Sequence, residues 1–497
     1  MKDHLREPSA DVVVEHIYRR QICRDSAVFR ELVLANMAHV LMLETCSIIG
    51  PEEASSLLRV LLELLGTGVG AVDLDEQMES LYYSFERHVT DRVGPEIGGK
   101  LHTARSRNDL GATVSRMAVR GQILSVARRL CVLRSTLLQV AARNTETVMT
   151  GYTHLQPAQP ITAAHYLAGI EEALERDTTR LFGAYAHTNR SCLGAGAFAG
   201  TGFPIDRMQT AEMLGFDGII TNTLDAVAAR DHVAEYLSTL SILATTLSRL
   251  AQDLYVWSTQ EFAIVRLPDR FVGTSSIMPQ KRNAFPLESI KGRLSHVVAA
   301  SLSSIVAMKN TSYSNVIDVN TESTYMLGEG TAHTIASLDL LAAVCAGMEF
   351  DGVHARRAAA ANYSTATELA DTLVREGGLT FRDAHRVVAE TVRIASDRGM
   401  KATDISLALV ASVANEVIGR PIAISEKAIV EALDPLANVS IRNHPGGPAP
   451  HAVRTAIDRA AQRLEEDKKA VASREGDLLR TERLLCETAR QRVEVKG

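Results

Sequence analysis

The sequence predicts an all-α protein. Of its 497 residues, 46% are hydrophobic but only 5% are aromatic, and stretches in which β-branched and polar residues alternate are few. Apolar residues instead recur every three or four positions over long segments, as they do on one face of a helix. The chain is longer than a single hydrophobic core usually supports, so we expect more than one domain.

Long helices are predicted in five segments with few internal Gly or Pro residues, namely 112–147, 162–188, 228–258, 284–308 and 326–348. The apolar stripe of 228–258 comprises Val233, Leu237, Leu240, Leu243, Leu247, Leu250 and Leu254. A stripe of this width packs on more than one neighbouring helix. We therefore predict a long central helix bundle whose core is formed by apolar helix faces.

Changes in composition divide the chain into four parts. A polar, turn-rich run ends just before residue 110, and the composition changes again between Gly352 and Thr365. Beyond about residue 460 charged residues dominate, with apolar residues at roughly heptad spacing, as in a surface helix or a short coiled coil. The predicted parts are an N-terminal helical domain, 1–110, a central helix-bundle domain, 111–362, a small C-terminal helical domain, 363–460, and a charged helical tail, 461–497.

Charge and cysteine usage argue against several classes of function. The formal net charge of −6 gives no basic footprint for nucleic acid or an anionic membrane surface. The six cysteines never occur in Cys-x-x-Cys spacing, so neither a disulfide framework nor a zinc knuckle is indicated. The first residues are charged where a signal peptide is apolar, and no apolar run stands out as long enough to span a bilayer. We expect a cytoplasmic protein that binds neither nucleic acid nor membranes and needs no metal or cofactor.

One short stretch concentrates hydroxyl, cationic and amide groups, and it reads Gly273-Thr-Ser-Ser-Ile-Met-Pro-Gln-Lys-Arg-Asn283. Its Gly, Ser and Pro content predicts a loop whose backbone N–H groups are available to a ligand. Apolar residues at helical spacing follow Asn283, so the loop leads into the positive end of a long helix. This pattern predicts an anion site that Lys281 faces. Taken alone, a mobile surface loop before a core helix is the plainer interpretation.

This stretch resembles the signature loop of the aspartase/fumarase superfamily. Two further segments resemble the argininosuccinate lyase family within it, His102-Thr-Ala-Arg-Ser-Arg-Asn-Asp109 and Gly151-Tyr-Thr-His-Leu-Gln-Pro-Ala-Gln-Pro160. Weaker similarities lie at 193–201, 222–231 and 381–385. The resemblance implies a three-domain fold around the helix bundle. It also implies a homotetramer whose sites are shared between subunits and act on a small dicarboxylate and an amine.

The resemblance also assigns the catalytic residues. Eliminating an amine from an N-substituted aspartate requires removal of a weakly acidic C–H proton beside a carboxylate, then protonation of the departing nitrogen. Ser275, the first serine of its pair, is the implied general base, provided that loop amides and Lys281 stabilise its anion. His154, paired with Glu288, is implied to protonate the amine directly or through water. Taken singly, these three residues would read as a loop serine, a structural histidine and a surface acid.

A set of polar side chains is suited to hold the substrate. Ser106, Arg107 and Asn108 form a compact donor group, and the guanidinium can bind a carboxylate through two hydrogen bonds. Together with Thr153 and Asn283 they resemble the fumarate-binding residues of the family, and they are expected to converge only across subunits. The candidate substrate-binding residues are Ser106, Arg107, Asn108, Thr153, Lys281, Asn283, Tyr313 and Asp318.

Some residues depart from the family pattern at positions that affect the backbone. Glycine is usual where Ala104 and Thr274 stand, and proline is usual where Ala284 and Thr380 stand. A β-branched residue resists the torsions that glycine permits, so Thr274 casts doubt on the loop geometry.

Other departures concern the amine side. In the run from Tyr313 to Thr321, Asp318 replaces a usual glutamine and Thr321 a usual lysine, and the family's Glu-Asp-x-His becomes Glu79-Ser-Leu-Tyr82. Loss of a cation and gain of a carboxylate disfavour an α-carboxylate in this pocket and favour an ammonium group. The sequence therefore predicts an amine other than arginine.

Three hypotheses follow. The leading one is a carbon–nitrogen lyase that reversibly converts an N-substituted L-aspartate into fumarate and an amine, similar to ethylenediamine-disuccinate lyase. The second is argininosuccinate lyase activity, which gives arginine and fumarate. The third is a non-catalytic structural protein of the crystallin type, against which the retention of Ser275, His154, Lys281, Asn283 and Glu288 argues.

Overall fold

The computed structural model describes residues 7–494, which are mostly α-helical, and the predicted all-α class is confirmed. Short helices build the N-terminal region, where a π-helical turn, Val14–Tyr18, joins the first two. They are α1 (Asp11–Val13), α2 (Arg19–Ser26), α3 (Phe29–Thr45), α4 (Pro51–Thr67), α5 (Leu81–Val93) and α6 (Pro95–Gly98). Buried apolar residues of α3, α4 and α5 form one hydrophobic cluster, to which Leu110, Val114 and Met117 from the start of the first central helix also belong.

The central region is the predicted helix bundle. Its helices are α7 (Arg107–Arg143), α8 (Ala163–Thr188), α9 (Arg207–Met213), α10 (Thr223–Ala228), α11 (Asp231–Trp257), α12 (Phe285–Met308) and α13 (Leu327–Gly347). The buried faces of α7, α8, α11, α12 and α13 form the largest apolar cluster. The predicted stripe on α11 lies inside it, with all seven residues fully buried.

Helix lengths and directions fix the distances in this bundle. At 1.5 Å per residue, the 37 residues of α7 span roughly 55 Å and the 27 residues of α11 roughly 40 Å. Helix α12 runs antiparallel to α11. Its start contacts the end of α11 through Glu288 and Tyr255, and its middle contacts the first half of α11 through Ser301 and Ser238.

A β-hairpin follows α7, although the sequence gives little strand signal there. Strands β1 (Val148–Thr153) and β2 (Gln156–Thr162) pair in antiparallel fashion, and Thr153 faces Gln156. The two residues between them, His154 and Leu155, have φ angles of 55° and 59°. Positive φ at both central positions is the pattern of a type I′ turn.

The C-terminal region is built from small helices. These are α14 (Gly352–Ala361), α15 (Ala366–Arg375), α16 (Phe381–Asp397), α17 (Leu407–Ile418), α18 (Glu426–Leu433) and α19 (Pro435–Ile441). Apolar residues of α15 to α18 form the third apolar cluster. Two short strands, β3 (Val265–Arg266) and β4 (Glu349–Phe350), pair beside the bundle. The division into four parts stays a proposal.

The last helix, α20 (Pro450–Glu494), is 45 residues long and continues unbroken through residue 461, where the tail was expected to begin. Leu464 and Val471 are buried in the bundle cluster, and Leu485 is buried in the N-terminal cluster. The apolar stripe of the charged segment is therefore covered by the rest of the chain and does not form a separate coiled coil.

One segment among residues 7–494, Asp318–Gly347, is long and apolar enough to cross a membrane by length and composition, with a mean hydropathy of 1.2. It contains α13, which packs against α7, α11 and α12. The pair Asp11–Ser26 and Phe29–Thr45 passes the same criterion only when joined across a bend of 73°. Core helices pass this criterion as well, so it is weak evidence for a membrane span.

Candidate active site

Ser106, Arg107 and Asn108 lie at the start of α7. The Oγ atom of Ser106 accepts a hydrogen bond from the backbone N–H of Asn108 at 3.3 Å. The carboxylate of Asp109 accepts one from the N–H of Ser106 at 2.9 Å, which completes a capping box. Arg107 and Asn108 therefore occupy the first turn of a long helix, where an anion is favoured.

The same turn is hydrogen-bonded to a glycine-rich loop that contains Gly194 and Gly196. The second oxygen of Asp109 accepts hydrogen bonds from the N–H groups of Gly194, at 2.8 Å, and Gly196, at 3.0 Å. The side chain of Asn108 donates to the carbonyl of Ala197 at 3.1 Å. Burial raises the pKa of Asp109 to about 6, although these backbone donors oppose the shift. Asp109, which the sequence analysis left without a role, thus ties the loop to the candidate substrate-binding turn.

Carboxylate and aromatic groups surround Arg107. Its guanidinium lies 3.7 Å from Glu79 and 4.4 Å from the ring centre of Tyr83. Nearby, the hydroxyl of Tyr82 and Nδ1 of His102 are hydrogen-bonded at 2.7 Å. Burial, together with the nearby arginine charges, lowers the pKa of His102 to about 4. His102 is therefore neutral near pH 7.

Tyr313 and Asp318 lie at the same end of the bundle. The hydroxyl of Tyr313 donates to the carboxylate of Asp225 on α10, and α10 packs against the first turns of α7. Asp318 is exposed and begins the π-helical turn Asp318–Glu322. The guanidinium of Arg24 donates to the carbonyl of Thr321 in this turn at 3.0 Å.

Asp25, the residue after Arg24, lies near Arg107. Burial raises the pKa of Asp25 to about 6, and the charges of Arg24 and Arg107 oppose the shift. Helix α2 therefore bridges the Asp318 turn and the start of α7.

The Ser275 loop is closed by its own backbone. Gly273 and Asn283 exchange two backbone hydrogen bonds, of 2.8 and 2.9 Å. The Oγ atom of Ser275 accepts hydrogen bonds from the N–H groups of Ile277, at 3.3 Å, and Met278, at 3.1 Å. Two donors at one hydroxyl oxygen are an arrangement that stabilises negative charge on it. Lys281 is exposed and Asn283 half-buried in the same loop.

Thr274 does not strain the backbone of the Ser275 loop. Its φ angle lies outside the left-handed region, whereas Ala104 has a φ of 63° at the other position where glycine is usual. The backbone departure that carries strain is therefore at Ala104 and not in the Ser275 loop.

Glu288 lies in the first turn of α12, and its partner within the chain is a residue that the sequence analysis missed. The hydroxyl of Tyr255 donates to its Oε1 atom at 2.6 Å. The predicted partner, His154, is exposed at the tip of the β-hairpin beside the exposed Thr153. Tyr255 belongs to no motif, and only its helical position opposite Glu288 could have signalled it.

The predicted site residues lie at two opposite ends of the helix bundle. Asp231, at the start of α11, lies 4.0 Å from Arg116, on the third turn of α7, whereas Tyr255 and Glu288 lie at the other end of α11. Twenty-four residues of helix separate Asp231 from Tyr255, a distance of roughly 36 Å. His154 lies beyond the far end of α7 from Arg107. A single chain therefore cannot bring the residues of both ends of the bundle to one small substrate.

The near group of residues, at the start of α7, comprises Ser106, Arg107, Asn108, Tyr313 and Asp318. The far group, beyond the ends of α7 and α11, comprises Thr153 and His154 on the hairpin and Ser275, Lys281, Asn283 and Glu288 around the start of α12. Among residues 7–494, no three His, Cys, Asp or Glu side chains come together in a way that would hold a metal ion.

Comparisons with known proteins agree with the motifs. Residues 15–299 match a family model described as lyase, and residues 363–440 match one described as argininosuccinate lyase C-terminal. Argininosuccinate lyase 1 of Shouchella clausii is 38% identical over 473 residues, which are 95% of each chain. Argininosuccinate lyase of Methanoculleus marisnigri is 41% identical over 447 residues, or 89% of each chain.

The chain belongs to the argininosuccinate lyase family of the aspartase/fumarase superfamily.

Solved structures support the same assignment. A variant of EDDS lyase with bound fumarate is 34% identical to this argininosuccinate lyase family member, with a TM-score of 0.88 over 94% of this chain and 92% of the other. A class II fumarase from Schistosoma mansoni, 15% identical with a TM-score of 0.69, shares the fold. The family member is an enzyme, a carbon–nitrogen lyase of the fumarate-releasing type.

Proposed function

We propose that this enzyme reversibly eliminates an amine other than arginine from an N-substituted L-aspartate, with Ser275 as the general base and fumarate as the common product. The observation that carries the proposal is the turn around Ser275, in which two backbone N–H groups already donate to its Oγ atom. A serine hydroxyl acts as a base only as its anion, so donors aimed at the oxygen are what the step requires.

The experiment is a paired substitution in the loop. Ser275→Ala is expected to lower the rate of fumarate release by roughly 10²- to 10⁴-fold, the usual contribution of a positioned base. Ser276→Ala removes the neighbouring exposed hydroxyl and serves as the matched control. Near-normal turnover of Ser275→Ala, or equal losses in both variants, would remove Ser275 from the mechanism.

The carboxylates of the substrate need donors and a cation. Ser106, Arg107 and Asn108 at the positive end of α7 would bind one carboxylate, because helix N–H groups and a guanidinium favour an anion there. Lys281, with Thr153 and Asn283, would neutralise the charge that develops when the C–H proton leaves. In this proposal His154, paired with Glu288, protonates the departing nitrogen.

The Asp318 turn favours an amine other than arginine. Asp318 stands where the family has glutamine and Thr321 where it has lysine, so the turn gains a carboxylate and lacks a cation. An amine with a second ammonium group gains from this carboxylate, whereas the α-carboxylate of arginine is repelled by it.

The assay follows the loss of fumarate absorbance with equal concentrations of ethylenediamine, a simple alkylamine and arginine. We expect addition to ethylenediamine to be the fastest. Asp318→Gln combined with Thr321→Lys should shift the preference towards arginine. The names of the relatives favour the second candidate, argininosuccinate lyase, and faster addition to arginine by the unaltered enzyme would establish it.

We also propose a homotetramer, since the two groups of site residues need different subunits to meet. An exposed apolar face on α12 is suited to contact another copy, with Val298 48%, Leu302 62% and Val306 58% exposed. Leu302→Arg is expected to lower the assembly mass in light scattering and to abolish activity together. An unaltered chain that scatters as a monomer would exclude the shared site.

We further propose that the enzyme works in the cytoplasm without a metal or a cofactor. Full activity after dialysis against a chelator is the expected result. Activity that disappears and returns with an added divalent cation would contradict it.

A further inference from the structure

Four side chains connect the end of α11 to the start of α12. The hydroxyl of Tyr255 donates to Oε1 of Glu288 at 2.6 Å. The ammonium group of Lys291 lies 4.3 Å from the ring centre of Tyr255 and donates to the side-chain oxygen of Gln252 at 2.8 Å. Tyr255 and Gln252 are three residues apart on one helix, and Glu288 and Lys291 three apart on the other. Each helix therefore presents its pair on one face.

We propose that Tyr255 is a positioning residue for the acid side of the reaction, because its hydroxyl holds one carboxylate oxygen of Glu288 and leaves the other oxygen available to His154 in the proposed pair. The inference rests on the proposed pairing of His154 with Glu288. Tyr255 does not contact the reacting atoms. It acts through the carboxylate, as outer hydrogen-bond partners orient catalytic groups in other sites.

The geometry explains why such a contact is useful. Glu288 is exposed and lies in the first turn of α12, so its side chain would otherwise sample several rotamers. Tyr255 has two side-chain torsions only, and the lysine ammonium over its ring restrains it further. The hydrogen bond to Glu288 raises the pKa of Tyr255, so the phenol stays protonated as a donor.

The hydroxyl of Tyr255 also weakens the attraction between the carboxylate of Glu288 and His154 in the proposed pair. A carboxylate that accepts a hydrogen bond from a phenol has less negative charge to offer a second partner. Among residues 7–494, the charged side chains that contact Tyr255 are Glu288 and Lys291, both from α12, and Gln252 on its own helix is neutral. Loss of the hydroxyl therefore strengthens the hold of Glu288 on a protonated histidine.

The experiment compares Tyr255→Phe with the unaltered enzyme. We expect a roughly 10-fold lower kcat for fumarate release, because orientation is lost, with KM changed less than about twofold. The descending alkaline limb of the pH profile should move to higher pH, since a histidine held more tightly keeps its proton longer. Tyr166→Phe is the matched control, because Tyr166 donates to Asp253 of the same helix at the same distance, 2.6 Å. It should leave the pH profile unchanged.

The substitution Glu288→Gln separates the inference from the proposed function. If Glu288→Gln retains normal turnover, the proposed pair of His154 and Glu288 is wrong, and the positioning role of Tyr255 fails with it. If Glu288→Gln loses turnover while Tyr255→Phe keeps the kcat and pH profile of the unaltered enzyme, only the role of Tyr255 fails. In support, Tyr255→Phe should have no further effect in the Glu288→Gln background, and independent, additive losses would overturn the inference. Thermal unfolding of each variant identifies losses that come from misfolding.

Discussion

His154 and Leu155 stand at the tip of the hairpin with φ angles of 55° and 59°, in the left-handed region that most side chains avoid. A non-glycine residue costs roughly 1–2 kcal/mol in that region. Asparagine and glycine are the usual residues of such a turn. Strain of this kind persists where the surrounding structure enforces it, and it is concentrated at functional sites. The backbone of His154 is thus consistent with the catalytic role proposed for its side chain.

We predict that His154→Asn separates stability from activity. Asparagine adopts positive φ more readily than histidine, so the free energy of unfolding should stay equal or rise by up to about 1 kcal/mol. Fumarate release should fall by roughly 10²-fold or more, because the proton donor is lost. Chemical denaturation and initial rates measure the two effects. A large fall in stability alongside the loss of activity would point to a structural role instead.

At the scale of single elements, helical spacing predicted the bundle well and the site geometry less well. The segments 162–188 and 284–308 correspond to α8 and α12 within one residue. Helical spacing predicts a start of α7 at 112, whereas the helix begins at Arg107, because its first turn is polar and resembles a loop. The serine and aspartate of its capping box were the missed signal.

The hairpin could not be predicted for a different reason. Its strands contain two prolines and a glycine and do not alternate between apolar and polar residues, so local preference argues against a sheet. Pairing along the whole motif, with a register shift after Gly151, imposes the strands. Likewise, the contact between Tyr255 and Glu288 depends on how α11 and α12 pack, which no local pattern specifies.

Helix α20 gives a prediction at this scale, because its apolar stripe is buried although the segment is highly charged. Leu485 is 3% exposed in the N-terminal cluster, whereas Leu479 is 64% exposed on the same helix. Leu485→Ala should lower the free energy of unfolding by about 2–4 kcal/mol, and Leu479→Ala by less than about 0.5 kcal/mol. Similar small effects from both would mean that the helix does not pack as a part of the fold. Denaturant unfolding measures both values.

For the whole molecule, buried histidines make stability depend on pH. His39 is fully buried, and burial lowers its pKa well below the usual 6.5. The folded state therefore stays unprotonated there while the unfolded chain binds a proton below about pH 6.5. The stability associated with this group is complete above that pH and is lost as the pH falls.

The stability difference between His39→Gln and the unaltered chain reports this effect. From pH 6.5 to 5 it should shift in favour of the variant by about 1.6 kcal/mol in total, and the slope should approach about 1.4 kcal/mol for each pH unit at the acid end. Comparing the two chains cancels the opposite contribution of Asp25 and Asp109, whose pKa values are raised to about 6. His385→Gln, at an exposed position, is the control and should show no such trend. A constant difference for His39→Gln would contradict the prediction.

The largest-scale prediction concerns subunit exchange, because Arg107 and Ser275 lie at opposite ends of a bundle about 40 Å long. If each site takes Arg107 from one subunit and Ser275 from another, an equal mixture of Arg107→Met and Ser275→Ala enzymes should form sites with both residues intact. After exchange by mild denaturation and refolding, about one quarter of the normal activity should return, since each residue is intact in half of the subunits.

The control for this exchange uses two changes in one loop. Ser275→Ala mixed with Lys281→Met should recover nothing, because both residues belong to the segment between Gly273 and Asn283 of a single chain. Recovery in the first mixture but not in the second assigns the two ends of the bundle to different subunits of one site. Failure of both mixtures, with the assembly intact by light scattering, would mean that Arg107 and Ser275 do not serve a common substrate.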